Sequence, residues 1–266
     1  MFRFIDTGGN NGAMNMAIDE ALLIAQSEER LPPAIRVYQF VPPTLSIGYF
    51  QSMEEEVDIE HCAEKGFDYV RRSTGGRAVL HDRELTYSVT ISYPHKILEM
   101  NLLDSFHYIS GGIIKAIEKT GGRAHFSKRE DNEIVSPSCF ASPTFSDIII
   151  NGKKVVGSAQ MRNKYGLLQH GAILLRVSIE DIFYCLKIKE ALKLNLIDQA
   201  RSKISSLSDE LGREITFYDV KSALRYGLSE ILGEELVDAE LTPSERKIAE
   251  ELYLNKYNTS DWNFKR

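Results

Sequence analysis

The segment DIIINGKKVVG, residues 147–157, constrains the fold more than any other stretch of the chain. Asn151-Gly152 lies between two apolar runs, and both residue types tolerate the positive φ that a two-residue hairpin demands. That turn sets a register, with Ile150 opposite Lys153 and Ile149 opposite Lys154. Successive side chains on a strand point to opposite faces, so the two lysines separate.

Further strands are read at IRVYQF, stopped by Pro42 and Pro43, at TLSIGYFQ and at LLQHGAILLRV. YSVTISY alternates, with Tyr87, Val89, Ile91 and Tyr93 on one face and Ser88, Thr90 and Ser92 on the other. DYVRRSTGGRAVLHD reads as strand, Gly-Gly turn, strand. NMAIDEALLIAQ predicts a helix, because Met14, Ala17, Ile18, Ala21, Leu22 and Ala25 recur at three-and-four spacing and Asn10 or Asn11 can cap it. A second helix buries Phe106, Ile109, Ile113, Ala116 and Ile117 and ends before Gly121-Gly122. Residues 124–143 are irregular and polar and read as a long loop, a feature that tends to carry function. Beyond about residue 178 the pattern turns helical, near 179–193, 198–211, 217–232 and 243–257, the last opened by Thr242, Pro243 and Glu245. The predicted class is α+β, with mixed β-sheets and packed helices. A sheet-rich body over 1–178 carries a helical C-terminal part over 179–266 on the same domain.

Composition removes several classes of function. The formal net charge of -6 gives no overall basic field for nucleic acid. No apolar run approaches the ~20 residues of a membrane span. Cys62, Cys139 and Cys185 are too few, and odd in number, for a disulfide framework. No CxxC or Cys/His cluster has zinc-ligand spacing, so no metal is expected. MFRFIDTGG lacks the basic and apolar regions of a secretory signal, and a reducing cytoplasm is the expected location.

Three places can carry chemistry. Cys139, in PSCFASP, is either a packing residue or a nucleophile. In the second case a cation nearby favours its thiolate, and Lys154 can supply it. Cys62 and Cys185 sit in helical-looking segments and are read as packing. In RRSTGGRAVLHD, Gly75 and Gly76 permit positive φ and close approach. Arg71, Arg72 and Arg77 around Thr74 suit an anion, or else are solvated residues of a tight turn. Gly157, Ser158 and Ala159 leave room for a chain lying along the sheet, or for a packed helix. His81 and His170, beside Gly171, are candidate acid/base groups, or structural.

Taken in order, NMAIDEALL, SIGYFQ, RRSTGGRAVLHDRELTYSV, GKKVVGSAQMR and LQHGAILL resemble the lipoate/octanoate protein ligase and transferase family, related in fold to biotin protein ligase. PSCFASP, the TGGR of the turn and the tail KYNTSDWNFKR are similar to the octanoyltransferase type of Gram-positive bacteria. That resemblance implies an acyltransferase body over 1–178. The reaction it implies is transfer of octanoyl from acyl carrier protein to a lipoyl-domain lysine. The acceptor it suggests is the H protein of the glycine cleavage system. It implies a thioester on Cys139, a thiolate stabilised by Lys154 and a substrate site of Arg72, Thr74, Gly75, Gly76, Arg77, His81, Gly157, Ser158, Ala159, His170 and Gly171. No cofactor and no metal are implied, and a monomer is the expectation. The competing readings are an ATP-dependent lipoate ligase, an amidotransferase between lipoyl domains, and a non-catalytic lipoyl-domain binder.

Overall fold

The computed structural model describes residues 1–127 and 147–266. Its strands are β1 (Phe2–Asn10), β2 (Ala34–Phe40), β3 (Thr44–Ile47), β4 (Asp68–Arg71), β5 (Val79–His81), β6 (Glu84–Ser92), β7 (His125–Phe126), β8 (Ile148–Ile150), β9 (Lys153–Asn163), β10 (Gly166–Leu174) and β11 (Leu236–Ala239). Eight of them form one sheet in the order β11-β1-β2-β6-β10-β9-β8-β7, and β4-β3-β5 form a second. The Asn-Gly turn produces the predicted register, Ile150 with Lys153 and Ile149 with Lys154. One step further an irregularity appears, and Ile148 pairs with Val156.

The large sheet is covered on both faces, which explains why β6 is buried along most of its length. Tyr87, Val89 and Ile91 enter an apolar core with Ile109 and Ile113 of the helix Leu102–Lys119 and Ala223 and Leu224 of the helix Phe217–Leu232. Ser88 and Thr90 meet the helix Gly12–Glu29 instead, and bond to its buried Asp19 and Gln26. The polar half of the alternation therefore marks a buried polar layer. Tyr93 lies beyond the strand and is exposed, so it does not join the apolar face. Asn11, not Asn10, caps the first helix, its side chain accepting the Met14 N–H.

Several boundaries differ from expectation. TLSIGYFQ is a strand only over Thr44–Ile47. The strands of DYVRRSTGGRAVLHD do not pair with one another; β3 lies between them, parallel to β4 and antiparallel to β5. The Gly-Gly segment thus crosses over the end of β3, a longer path than a hairpin turn. Within the predicted loop over 124–143, His125–Phe126 pairs with β8, and residues 128–143 lie outside the described residues.

After residue 178, Phe217–Leu232 is a helix as read, and Thr242 forms a capping box with Glu245. The expected helices 179–193 and 198–211 resolve into Ile179–Tyr184, Glu190–Lys203 and Leu207–Leu211. The first two pack against the small sheet through Ile182, Phe183, Ile197 and Ala200. The last segment is an α-helix over Pro243–Leu252 and a π-turn over Tyr253–Tyr257. β11 was not expected; it extends the large sheet parallel to β1, itself an unpredicted strand. Cys62 and Cys185 are both fully buried in the core beside the small sheet.

Candidate active site

A cavity of about 430 Å³ opens among β9, β10, the ends of β2 and β5, and the helix Leu102–Lys119. Its walls are mostly apolar, with Met16, Phe40, Val79, Leu102, Leu103 and Phe106. The polar groups on the lining include Lys154, Asp147, Arg72, His81, His170 and Ser158.

Lys154 arrives by strand geometry. The Asn-Gly turn and the pleat of β9 send its side chain inward, and it is 1% exposed. Its Nζ lies 2.9 Å from Oδ1 of Asp147, itself buried just before β8. A buried cation needs such a partner, since leaving either charge alone out of water is costly. On the outer side of the ladder the Ser205 N–H donates to the Lys154 carbonyl, and Ile204 bridges the same residue. Lys153 points the other way and is half-exposed near Glu210.

The opposite wall is the turn of residues 74–77, which no ladder holds. Gly76 has φ +95°, which favours glycine. Its carbonyl is packed against Gly48, where an added Cβ would lie 1.9 Å from that oxygen. The Thr74 carbonyl accepts from the Tyr49 N–H at 2.8 Å. Arg72 Nη2 donates to the carbonyls of Gly75 and Arg77 at 3.1 and 3.0 Å. The carbonyls of Thr74, Gly75 and Arg77 are thereby bonded, while the N–H groups of Gly75 and Gly76 donate to no acceptor among the described residues.

Two buried carboxylate–histidine pairs stand behind this turn. In the first, Asp19 Oδ2 lies 3.4 Å from His170 Nδ1, and His170 Nε2 lies 2.7 Å from Thr74 Oγ1. Asp19 also accepts from Arg36 Nη1 at 2.7 Å, Ser88 Oγ at 2.7 Å and Tyr38 OH at 2.9 Å. Burial pushes the Asp19 carboxyl upward. The Arg36 guanidinium and the bonds from His170 and Ser88 outweigh this and hold it below the usual carboxylate value. Burial also pushes His170 below its ordinary value, against the pull of Asp19, so the imidazole is neutral near pH 7. Nδ1–H then donates to the carboxylate, and Nε2 accepts the Thr74 hydroxyl. In the second pair, His81 Nδ1 lies 2.5 Å from Glu84 Oε1, and His81 Nε2 lies 2.7 Å from Ser46 Oγ. Ser46 Oγ accepts from Arg72 Nη1 at 2.6 Å, and the His81 ring stacks on Phe40 at 4.1 Å.

These contacts revise two expectations. Arg71 and Arg72 do not offer their guanidinium groups to a solvent anion; both are buried and donate to backbone carbonyls. Arg71 in addition fixes the tail. Its N–H donates to Asn263 Oδ1 at 2.8 Å, and its carbonyl accepts from Trp262 Nε1 at 2.9 Å. His81 and His170 have both ring nitrogens engaged, which suits holding neighbours in place better than exchanging protons with a substrate.

Among the predicted site residues, Lys154, Arg72, Gly75, Gly76, His81, Gly157, Ser158, Ala159, His170 and Gly171 come together on the cavity wall. Thr74 is buried one layer behind it, bonded to His170. Arg77 contributes its carbonyl to Arg72 and is not part of the lining. Cys139 lies outside the described residues. Sequence reading missed Asp19, Arg36, Tyr38, Glu84 and Asp147. The available signals were a carboxylate among the apolar positions of the first helix and an arginine in the middle of IRVYQF. Among the described residues, no cluster of His, Cys, Asp and Glu could hold a metal ion, and no helix is long and apolar enough to cross a membrane.

A family profile described as the lipoyl protein ligase A/B catalytic domain matches residues 11–229. The octanoyltransferase LipM of Kyrpidia tusciae is 40% identical over 276 residues, spanning 100% of this chain and 99% of that protein. The octanoyltransferase LipM of Bacillus subtilis is 35% identical over 277 residues, spanning 100% and 98%. Among solved structures, an ATP-bound lipoate-protein ligase A superposes with a TM-score of 0.82 at 27% identity, covering 98% of each chain. The bipartite lipoate protein ligase of Thermoplasma acidophilum, described with its E2 lipoyl domain, superposes with a TM-score of 0.82 at 27% identity, covering 99% of this chain and 95% of that one.

Proposed function

The chain belongs to the family of lipoyl protein ligase A/B catalytic domains and is an octanoyltransferase of protein lipoylation, and from this premise we propose that Cys139 carries octanoyl as a thioester between an acyl carrier protein and a lipoyl-domain lysine. The observation that carries the proposal is Lys154, a buried lysine on the wall of a mostly apolar cavity. A cation in that position favours a thiolate brought against it.

The Cys139 thiolate attacks the carbonyl of the carrier thioester. The tetrahedral intermediate collapses with loss of the carrier thiolate, which takes up a proton. One thioester replaces another, so the step is near thermoneutral and draws on no nucleotide. The ε-amine of the acceptor then attacks the acyl-enzyme; it loses a proton, an amide forms and the Cys139 thiolate leaves. Such covalent relay gives ping-pong kinetics. Lys154 is the candidate to give its proton to the departing carrier thiolate, and in its neutral form then to receive the amine's proton, with Asp147 holding it in place. The apolar walls suit an eight-carbon chain: burying about seven CH₂ and CH₃ groups at ~0.8 kcal/mol each gives an upper bound of ~5–6 kcal/mol.

The acceptor we propose is the H protein of the glycine cleavage system, and the location the cytoplasm. The test is transfer from octanoyl carrier protein to H protein with ATP and Mg²⁺ omitted and a chelator present. Undiminished transfer supports the reading. A strict need for ATP would make the chain a ligase of free acid.

A further inference from the structure

We propose that Asp19, through His170, and Glu84, through His81, are positioning residues that hold the Thr74–Arg77 turn so that its amide N–H groups meet the carbonyl oxygen of the bound acyl group. This rests on the reading that acyl transfer to Cys139 takes place at the cavity.

A turn that is to stabilise an oxyanion must keep its donors aimed before charge develops there. Regular secondary structure does this through its ladder, but the segment 72–77 lies outside both sheets. Side chains must do it instead. The hydroxyl of Thr74 is held by His170, and the carbonyls of Gly75 and Arg77 are held by Arg72. Each holder is itself fixed from behind by a buried acid. Asp19 takes the Nδ1–H of His170, which leaves Nε2 as the acceptor Thr74 requires. Glu84 takes the Nδ1–H of His81, which leaves Nε2 to accept the Ser46 hydroxyl; the Ser46 oxygen then accepts from Arg72. In both cases the carboxylate sets the tautomer, and the tautomer sets the direction of every later bond. The two chains reach the turn from opposite ends: one starts on the first helix, the other on β6. Between them the Thr74 hydroxyl and the carbonyls of Gly75 and Arg77 are engaged, and the N–H groups of Gly75 and Gly76, which donate to no acceptor among the described residues, are left for a ligand.

The chains can be cut without burying a new charge. Thr74→Val removes the hydroxyl and keeps the shape, and Ser46→Ala removes the link between His81 and Arg72. Two rates are measured on each folded variant, with circular dichroism and melting temperature alongside. One is single-turnover acylation by octanoyl carrier protein, which passes through an oxyanion. The other is alkylation of Cys139 by iodoacetamide, a displacement that forms none. The expected result is acylation slowed tenfold or more in each variant at unchanged alkylation rate, with a modestly lower melting temperature. Thr74→Ser, which restores the hydroxyl, should regain the acylation rate. Asp19→Asn also strips the buried Arg36 of its charged partner, so it should lose more stability than Thr74→Val, and its folded fraction should show the same acylation deficit.

Acylation at the wild-type rate in Thr74→Val or Ser46→Ala would overturn the proposal. So would alkylation falling in step with acylation, because that pattern indicates a general loss of structure. If the wild-type protein itself takes no octanoyl on Cys139, the functional reading fails, a result separate from any difference among the variants.

Discussion

The two walls of the cavity are built on opposite principles. Lys154 is delivered by regular structure: a two-residue turn fixes the register, the pleat fixes the direction, and one ion pair with Asp147 completes the placement. The Thr74–Arg77 turn has no ladder and depends on a web of side chains from distant parts of the chain: Asp19, Ser46, Glu84 and His170. Local sequence suffices for the first wall. The second exists only when the tertiary structure is complete, and each of its bonds is a separate point of failure.

The contrast breaks hardest at Lys154. Lys154→Ala removes the cation paired with the buried Asp147 and should cost about 3–5 kcal/mol, read as a lower midpoint in urea unfolding. In the folded fraction, the proposal that Lys154 favours the Cys139 thiolate predicts a cysteine pKa raised toward the free value of ~8.5. Iodoacetamide alkylation at pH 7 should therefore slow by about tenfold for each pKa unit, with the gap to wild type closing above pH ~8.5. Lys154→Arg should keep the alkylation rate while slowing amide formation, because arginine stays protonated. Superimposable alkylation profiles for wild type and Lys154→Ala would remove Lys154 from the cysteine's environment.

The turn should yield less stability and as much activity. Gly48→Ala would place a Cβ 1.9 Å from the Gly76 carbonyl oxygen, so the turn must move. The expected cost is about 1–3 kcal/mol, with acyl transfer falling more steeply than stability. Gly76→Val should act in the same direction, since a branched residue resists φ +95°. A Gly76→Val enzyme with full transfer rate and an unchanged melting temperature would mean the turn has no part in catalysis.

Lys153→Ala is the smallest change and the sharpest control. Its side chain is half-exposed and 3.8 Å from Glu210. Stability should shift by under about 0.5 kcal/mol, and the alkylation profile should match wild type. An effect comparable with that of Lys154→Ala would contradict the separation of the two lysines by the pleat.

The same division explains what could be read beforehand. The hairpin register, the helix Phe217–Leu232 and the cap at Thr242 depend on neighbours in sequence, and the chain states them locally. The insertion of β3 between β4 and β5, the addition of β11 to the far edge and the role of the tail on Arg71 depend on contacts across long separations. Ser88 and Thr90 look like the solvent face of a strand, because alternation reports polarity and cannot distinguish water from a buried polar layer. Asp19 was hidden for a related reason: on a helix of apolar spacing, its purpose appears only when Arg36, Tyr38 and His170 are brought around it.

The central claim is that octanoyl passes through a covalent bond to Cys139. It is tested most directly by intact mass spectrometry of the protein after brief incubation with octanoyl carrier protein, without ATP and without an acceptor. The account predicts one added octanoyl group on wild type, located on Cys139 by peptide mapping, removed by hydroxylamine and absent from Cys139→Ser. A wild-type protein that transfers octanoyl to an acceptor while never carrying the adduct, or a Cys139→Ser protein labelled as fully as wild type, would contradict it.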